Sequence, residues 1–443
     1  MPPLVVRSQR VVLPDGVRAA SIAIEDGRIA AIAAYGDRHG GADELDAAGA
    51  VVLPGLVDTH VHVNDPGRAD WEGFDHATRA AAAGGVTTIV DMPLNSIPAT
   101  TTPAGLEAKR DAARGRSYVD VGFWGGVVPG NRRALEPLGD AGVLGFKCFL
   151  SPSGVEEFGH VSEAALCDAL PLLASMGLPL LVHAELPELL EWPDPDADPR
   201  KHRTWAETRP PIAESAAIHL LLRLSSQFDA PVHIVHLAAA DALPLLRRAR
   251  AAGTHVTVET CPHYLTFADD EVPDGATPFK CAPPLRTRAN RELLWRALVE
   301  GDIDMIASDH SPAPPALKSI GEGDFLAAWG GIASLQLGPA AVWTGLAARS
   351  GSFTDLARWL AAAPAALAGL DDRKGTIAVG QDADLVIWDP DDEFVVVPER
   401  LYHRHPLTPY AGRTLRGRVR KTLLRGTVVF DGEIVGEPRG EVL

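Results

Sequence analysis

The sequence predicts an α/β protein: a (β/α)8 TIM-like barrel with a small β-sandwich domain formed from both chain ends. Eight apolar segments of strand length recur along the middle of the chain, and Ala/Leu/Arg-rich segments separate most of them. Alternating units of this number form a closed parallel barrel of about 250 residues or more. The chain has 443 residues, 46% of them hydrophobic, which is enough for a large core. The predicted strands are Leu56–His62, Val86–Met92, Val119–Gly125, Val143–Leu150, Leu178–His183, Val232–Leu237, His255–Thr260 and Ile303–Ser308.

The segments between these strands supply the helices of such a barrel. Four of them have apolar residues at helical spacing: Ala77–Ala83, Glu163–Met176, Ile212–Ser225 and Asp241–Ala252. Barrel enzymes carry their chemistry at the carboxyl ends of the strands. The residues that end each strand are therefore the first candidates for function.

Both chain ends differ from the middle, because their apolar and polar residues alternate as in half-buried strands. The alternation covers Leu4–Ala33 and returns at Gly380–Asp389 and Lys421–Val435. Turn signals accompany it at Pro14-Asp15-Gly16, Glu25-Asp26-Gly27 and Asp431-Gly432. We favour one sandwich built from both ends over two unrelated β appendages. The predicted division is 1–53 for the first sandwich part, 54–372 for the barrel and 373–443 for the second sandwich part.

Composition excludes several classes of function. The net charge is −17 and no basic stripe is present, which argues against a nucleic-acid partner. No stretch reaches the roughly 18 apolar residues of a membrane span, and Met1 to Arg10 lacks a signal-peptide pattern, so we expect a cytoplasmic protein. The cysteines are scattered and predicted to be buried thiols; they are Cys148, Cys167, Cys261 and Cys281.

Histidines and other metal-ligand residue types recur at the ends of five predicted strands. His60 and His62 end the first strand, and residues two apart in a strand point to the same face. A lone pair of this kind is often incidental, but imidazoles converging on one point suit a metal such as zinc. The six candidate ligands are His60, His62, Lys147, His183, His236 and Asp309.

Lys147 is the unusual member of this set. The chain has only seven lysines against thirty-four arginines, and this one lies within an apolar run. Burial lowers the pKa of a lysine. One interpretation is a lysine that snorkels to the barrel mouth. The other is a neutral amine that captures carbon dioxide, because the resulting carbamate anion can bridge two cations that an ammonium would repel.

Two histidines compete for the ligand role on the sixth strand. His233 and His236 are three residues apart and therefore face opposite ways. We favour His236, which lies nearer the carboxyl end of the strand. His310 directly follows Asp309 and is a candidate for supporting the ligands from behind.

These motifs resemble the binuclear-metal cyclic amidohydrolases: dihydroorotases, dihydropyrimidinases or hydantoinases, and allantoinases. The resemblance covers essentially the whole chain, from Pro54–His62 (PGLVDTHVH) to Gly380–Val386 (GQDADLV). It implies that His60 and His62 bind one metal ion and that His183 and His236 bind the other. It further implies that carbamylated Lys147 bridges the ions, while Asp309 binds a metal and shuttles the proton.

At two positions the sequence differs from dihydroorotases and hydantoinases, and these differences favour a resemblance to allantoinases. Asn64 stands where dihydroorotases carry an arginine after the histidine pair, and Pro152, between Ser151 and Ser153, stands where hydantoinases usually carry a tyrosine. The stretches that resemble allantoinases are Asn64–Arg68, Trp71–Phe74, Asp91–Ser96, Gly145–Leu150 and Trp329–Ile332.

The resemblance implies hydrolysis of the hydantoin ring amide of allantoin to give allantoate. It places backbone groups near Ala282 and Gly330 on the cyclic imide. Asn64 and Asn95 are candidates for the ureido arm, since amides both donate and accept hydrogen bonds, although all four residues also fit ordinary loop geometry. Arg68 is a candidate for substrate binding or for a structural ion pair.

Several alternatives stay open at this point. The expected cofactors are two divalent ions, zinc first, with manganese, cobalt or iron also compatible with these ligands. A homotetramer is implied by resemblance alone. The rival functions are a hydantoinase or dihydropyrimidinase and, because fold does not establish activity, a non-catalytic scaffold.

Overall fold

The strands of the protein fall into a central group and a group from the chain ends. Residues 3–37 and 41–443 are described by this computed structural model, so the predicted first segment, 1–53, lies partly outside the described residues. The strands are β1 Leu4–Leu13, β2 Gly16–Glu25, β3 Arg28–Ala34, β4 Asp43–Asp46, β5 Val51–Pro54, β6 Leu56–Val61, β7 Val86–Asp91, β8 Asp120–Phe123, β9 Gly125–Gly126, β10 Phe146–Phe149, β11 Leu180–His183, β12 Val232–Ile234, β13 Val256–Thr260, β14 Met305–Ile306, β15 Leu385–Val395, β16 Thr414–Leu424 and β17 Thr427–Asp431.

Helices alternate with the central strands. They are α1 Phe74–Ala83, α2 Pro103–Ala113, α3 Arg132–Asp140, α4 Glu163–Met176, α5 His202–Glu207, α6 Pro211–Phe228, α7 Leu243–Ala251, α8 Pro262–Thr266, α9 Arg288–Glu300, α10 Gly338–Ala347, α11 Phe353–Ala357 and α12 Ala363–Leu367. Helix α4 shows how local residues determine where a helix begins and ends. Ser162 caps it by accepting from the Ala165 amide, and Gly177 ends it in the left-handed region at φ 68°.

The central strands close into a parallel barrel. Strands β6, β7 and β8 pair in parallel, and so do β9 to β14. Strands β8 and β9 act as one barrel strand, because only Trp124 separates them and its amide donates to Asp91 O at 3.1 Å. The His62 amide donates to His310 O at 2.8 Å and so links the last strand region to the first. All eight predicted strands are present, and the fold-class prediction is confirmed.

The strand period of two separates the core from the site. On β10, Phe146 and Cys148 face the apolar cluster shared with α4, whereas Lys147 between them faces the barrel interior. On β11, Leu180 and Val182 belong to the same outer cluster. Apolar packing against the helices therefore fixes which residues point into the barrel.

The chain ends form one eight-stranded sheet, in the order β17-β16-β15-β5-β1-β2-β3, with β4 beside β1. Its halves join where β5 pairs antiparallel with β15, Leu385 opposite Pro54. A Cβ on Gly426 would lie 2.8 Å from the Ile24 side chain, so the sheet curls around its own apolar cluster. The two chain ends thus build one unit, as the sequence predicts; the residue limits of the three predicted segments stay predictions.

A buried ion cluster joins this sheet to the barrel. Lys374 Nζ contacts Asp120 Oδ2 on β8 at 2.6 Å and Asp384 Oδ2 at 2.7 Å. Arg425, in the turn between β16 and β17, reaches the same Asp120 carboxylate, and the Glu441 amide donates to it at 2.8 Å. Charges so far from water are costly unless they are paired, so the cluster holds barrel, sheet and carboxyl terminus in one arrangement.

Two composition-based expectations can be compared with the structure. Within residues 3–37 and 41–443, no helix is long and apolar enough to cross a membrane. The four cysteines are free thiols; Cys148, Cys261 and Cys281 are buried, and Cys167 is half-buried.

Candidate metal centre and its cavity

Three of the predicted ligands meet where the first and last barrel strands adjoin. His60 is the penultimate residue of β6, His62 follows that strand, and Asp309 lies after β14 with φ 45°. Asp309 Oδ1 lies 3.1 Å from His60 Nε2 and 3.5 Å from His62 Nε2. The ligand atoms of these buried residues lie within 4.8 Å of one another, a spacing that can hold a metal ion.

The second predicted pair adjoins this group. His183 Nδ1 faces His236 Nε2 at 3.0 Å, and the His236 ring centre lies 5.4 Å from that of His60. Two ring nitrogens that face each other cannot both carry a proton, so at least one lone pair is directed into the site. Burial, followed by the charges of His183 and Lys147, holds the pKa of His236 well below its usual value.

Lys147 lies close enough to both pairs for its charge to act on His62, His183 and His236. Its Nζ is fully buried, has no hydrogen-bond partner among the described residues, and lies 4.8 Å from the Phe149 ring centre. Burial lowers the pKa of Lys147 to about 8, although Asp309 and Glu259 oppose the shift. A buried amine without a partner is unfavourable, and its isolation points to a group or ion absent from the bare chain.

The donor set fits a metal centre. Burial by itself would raise the pKa of Asp309, but His60, His62 and His236 outweigh it and hold that pKa well below its usual value. Burial also lowers the pKa of His62 and His183. A carboxylate among imidazoles is the donor chemistry that divalent cations such as zinc require.

Two buried glutamates that sequence reasoning missed orient these histidines. Glu259 on β13 contacts His60 Nδ1 and, at 3.1 Å, His233 Nε2. Glu185 accepts from His183 Nε2 at 2.6 Å. Each fixes which ring nitrogen is left for a ligand. The signal was available: both are charged residues in apolar strand surroundings.

The other secondary candidates take structural positions. Both ring nitrogens of His233 are hydrogen-bonded, Nε2 to Glu259 and Nδ1, at 2.8 Å, to Thr257 Oγ1. His236 is therefore the histidine of this strand that faces the site. His310 Nδ1 accepts from the Ser334 amide at 3.1 Å. The His310 side chain therefore supports a neighbouring loop, and only its backbone carbonyl bonds to a ligand residue, through the His62 amide.

A cavity of about 380 Å³ opens above these residues, within the size range of small-molecule sites. Asn95, Ala282 and Gly330 line it, and a Cβ on Gly330 would lie 4.0 Å from Ala282 N. Asn95 Oδ1 is buried and has no hydrogen-bond partner in the part of the chain that the structure describes. Asn64 is not among the lining residues; it is buried, and its Nδ2 donates to Pro312 O at 3.4 Å.

The loop after β10 offers few free donors. Pro152 and Ser153 line the cavity, but the Ser153 hydroxyl donates to Phe158 O at 2.5 Å within the same loop. Arg68 does not line the cavity. It forms an ion pair with Glu157 and donates to Asn95 O at 2.7 Å, which is the structural alternative left open by the sequence.

Comparison with known proteins agrees with this geometry. Residues 51–429 match the model of the amidohydrolase family. The chain belongs to the amidohydrolase family. The described residues also contain a His/Asp cluster suited to a metal ion, as expected for this metal-dependent family.

Individual relatives cover nearly the whole chain. An allantoinase of Streptomyces avermitilis is 50% identical over 99% of this chain and 98% of its own length. An allantoinase of Arabidopsis thaliana is 46% identical over 96% of this chain and 87% of its own length. Among solved structures, the L-hydantoinase (dihydropyrimidinase) of Arthrobacter aurescens superposes with a TM-score of 0.93 at 31% identity, covering 100% of this chain and 99% of its own.

Proposed function

We propose that this amidohydrolase is an allantoinase, which opens the hydantoin ring of allantoin by hydrolysis to give allantoate. One observation carries the proposal: four histidines and Asp309, from four strand ends, line one small cavity, and the buried Lys147 of a fifth strand lies near Asp309. The 50% identity with the Streptomyces allantoinase supports the choice of substrate. The same convergence argues against a scaffold that has lost its ligands.

The six converging residues would hold two divalent cations, of which zinc is our first candidate. His60 and His62 would bind one ion, and His183 and His236 the other. Lys147, carboxylated on Nζ, would join them. Bound cations of this kind lower the pKa of water toward about 7 and polarise a carbonyl group. The unpartnered Nζ and the lowered pKa of Lys147 support its carboxylation, because a neutral amine is the form that reacts with carbon dioxide.

Asp309 would move the proton. Its carboxylate is ionised at neutral pH, so Oδ can accept a proton from the attacking water. The same oxygen would return that proton to the ring nitrogen as the amide bond breaks. Its contacts with His60 and His62 keep it among the predicted metal ligands, in the wall of the cavity.

The loops would hold the ring by backbone groups. Ala282 and Gly330 lie side by side in the cavity wall, and a glycine permits close approach of the substrate. The unpartnered Asn95 Oδ1 would accept an N–H of the ureide. Asn64 lies behind the cavity wall and would not touch the substrate. It would stabilise the loop that contains Pro312, through the hydrogen bond from its Nδ2 to Pro312 O.

A substrate panel tests the proposal. Metal-reconstituted protein is assayed with allantoin, hydantoin and dihydrouracil, and we expect kcat/KM to be highest for allantoin. A hydantoinase or dihydropyrimidinase is the second candidate, favoured by the 0.93 TM-score with such an enzyme; preference for hydantoin or dihydrouracil would establish it. Metal analysis of the purified protein tests the scaffold alternative, which predicts none bound. Homotetrameric assembly and a cytoplasmic location stay predictions.

A further inference from the structure

Arg209 is a cation in the cavity wall that the hydrolytic chemistry leaves unassigned. It follows α5, and its side chain lines the cavity beside Trp205. Arg209 Nε donates to Glu185 Oε1 at 3.0 Å, and Nη2 donates to Glu185 Oε2 at 2.5 Å. The guanidinium carbon lies 5.1 Å from the Trp205 ring centre. The side chain is therefore held in one orientation before any ligand arrives.

One end of this guanidinium is unused. Nη1 of Arg209 has no hydrogen-bond partner within the described part of the chain, and it is not among the fully buried polar atoms. The other cation in this wall is occupied, because Lys280 Nζ donates to Leu326 O at 3.1 Å and to Ala328 O at 2.5 Å. Arg209 thus lines the cavity with a guanidinium whose Nη1 donors are unused within the described residues.

Arg209 is connected to the predicted ligand His183 through Glu185 and forms no direct bond to it. Glu185 bonds to His183 Nε2 at 2.6 Å, whereas Nδ1 on the other side of that ring faces His236. Arg209 therefore lies beyond the outer nitrogen of His183, away from the converging ligand atoms. A substrate group that reaches Arg209 must project from the ring being cleaved.

We propose that Arg209 determines specificity by donating from Nη1 to the carbonyl oxygen of the exocyclic ureido arm. This inference rests on the proposed function, since allantoin carries that arm on its hydantoin ring. The flat ureido group would lie beside the Trp205 indole. Arg209 would act as a binding residue and take no part in the proton transfers.

The charge on Arg209 also suits a neutral oxygen. Glu185 already balances the guanidinium, so Nη1 offers strong donors without an unpaired positive charge. A developing oxyanion or a carboxylate at the same point would meet repulsion from the Glu185 carboxylate. A urea carbonyl accepts the hydrogen bond without that penalty.

The experiment compares two ligands that differ in the arm. The variants Arg209→Met and Arg209→Lys are assayed with allantoin as substrate and hydantoin as substrate or competitive inhibitor, per metal-loaded site. We expect KM for allantoin to rise about 10- to 100-fold, as for loss of a charge-assisted hydrogen bond. The KM or inhibition constant for hydantoin, which lacks the ureido arm, should change less than about threefold. Arg209→Lys keeps a positive charge beside Glu185 but removes the Nη1 donors. It therefore tests the same inference if Arg209→Met folds poorly.

A matched control is available on α5, the helix that precedes Arg209. Arg203→Met also removes an arginine–glutamate pair, with Glu207, but its side chain is 81% exposed and outside this cavity, so both constants should stay at wild-type values. Equal weakening of allantoin and hydantoin in the Arg209 variants would overturn the inference and assign Arg209 to positioning Glu185. Failure of the wild-type protein to open allantoin would instead refute the proposed function, and this inference with it.

Discussion

Carboxylation of Lys147 should occur in the metal-free protein at a pH where a lysine with the ordinary pKa of 10.5 stays protonated. The perturbation is removal of the metal ions and of dissolved carbon dioxide, followed by addition of labelled bicarbonate at a series of pH values. Only the neutral amine attacks carbon dioxide. The rate therefore reports the fraction of Lys147 that has lost its proton.

The magnitude follows from burial. The pKa of Lys147 is lowered to about 8 from 10.5. At pH 7 about one amine in ten is then neutral, against roughly one in 3,000 for an ordinary lysine, a difference of about 300-fold. Because the pKa is lowered, the reactive fraction rises with pH up to about 8 and then saturates.

The assay is carbon-13 NMR of the carbamate carbon, with the rate divided by the dissolved carbon dioxide concentration. We expect the normalised rate to level off above pH 8. Lys147→Ala should lack the signal, because the other lysines of lowered pKa donate from Nζ to backbone carbonyls; these are Lys109, Lys280 and Lys318. A normalised rate that still rises about tenfold per pH unit between pH 9 and 10 would show an ordinary lysine and refute the reasoning. Full metal occupancy in Lys147→Ala would separately contradict the proposal that carboxylated Lys147 joins the two metal ions.

Three further outcomes are expected. Asp309→Asn should lower kcat for allantoin at least 100-fold, because the proton acceptor is lost; near-wild-type kcat would remove it from that role. Glu259→Gln should weaken metal affinity about 10- to 100-fold in chelator competition, because His60 loses its orienting carboxylate, and unchanged affinity would contradict this. Lys374→Met should lower the free energy of unfolding by about 3–5 kcal/mol, since Asp120 stays buried with a partner removed; denaturant titration showing a loss below about 1 kcal/mol would argue against it.

The local sequence pattern was sufficient to predict the fold and the residue types of the metal ligands. Apolar runs with a period of two mark the strands, and the helix Glu163–Met176 has the predicted limits because capping and apolar spacing are local properties. The strand ends can be read in the same way, which is how the sequence indicates His60, His183 and Asp309. The branch-specific stretches, including Asn64–Arg68, are likewise local.

The sequence by itself determined the barrel, the sheet built from both ends and the candidate ligands. Only the tertiary structure decided which ring nitrogen of His60 faces the site, because its partner Glu259 is 199 residues away along the chain. It also decided that Lys147 Nζ lacks a partner, that Asn64 lies behind the cavity wall and that Arg209 lines it. Such facts depend on how separate strand ends meet when the barrel closes, and no local spacing encodes the distance between side chains on different strands.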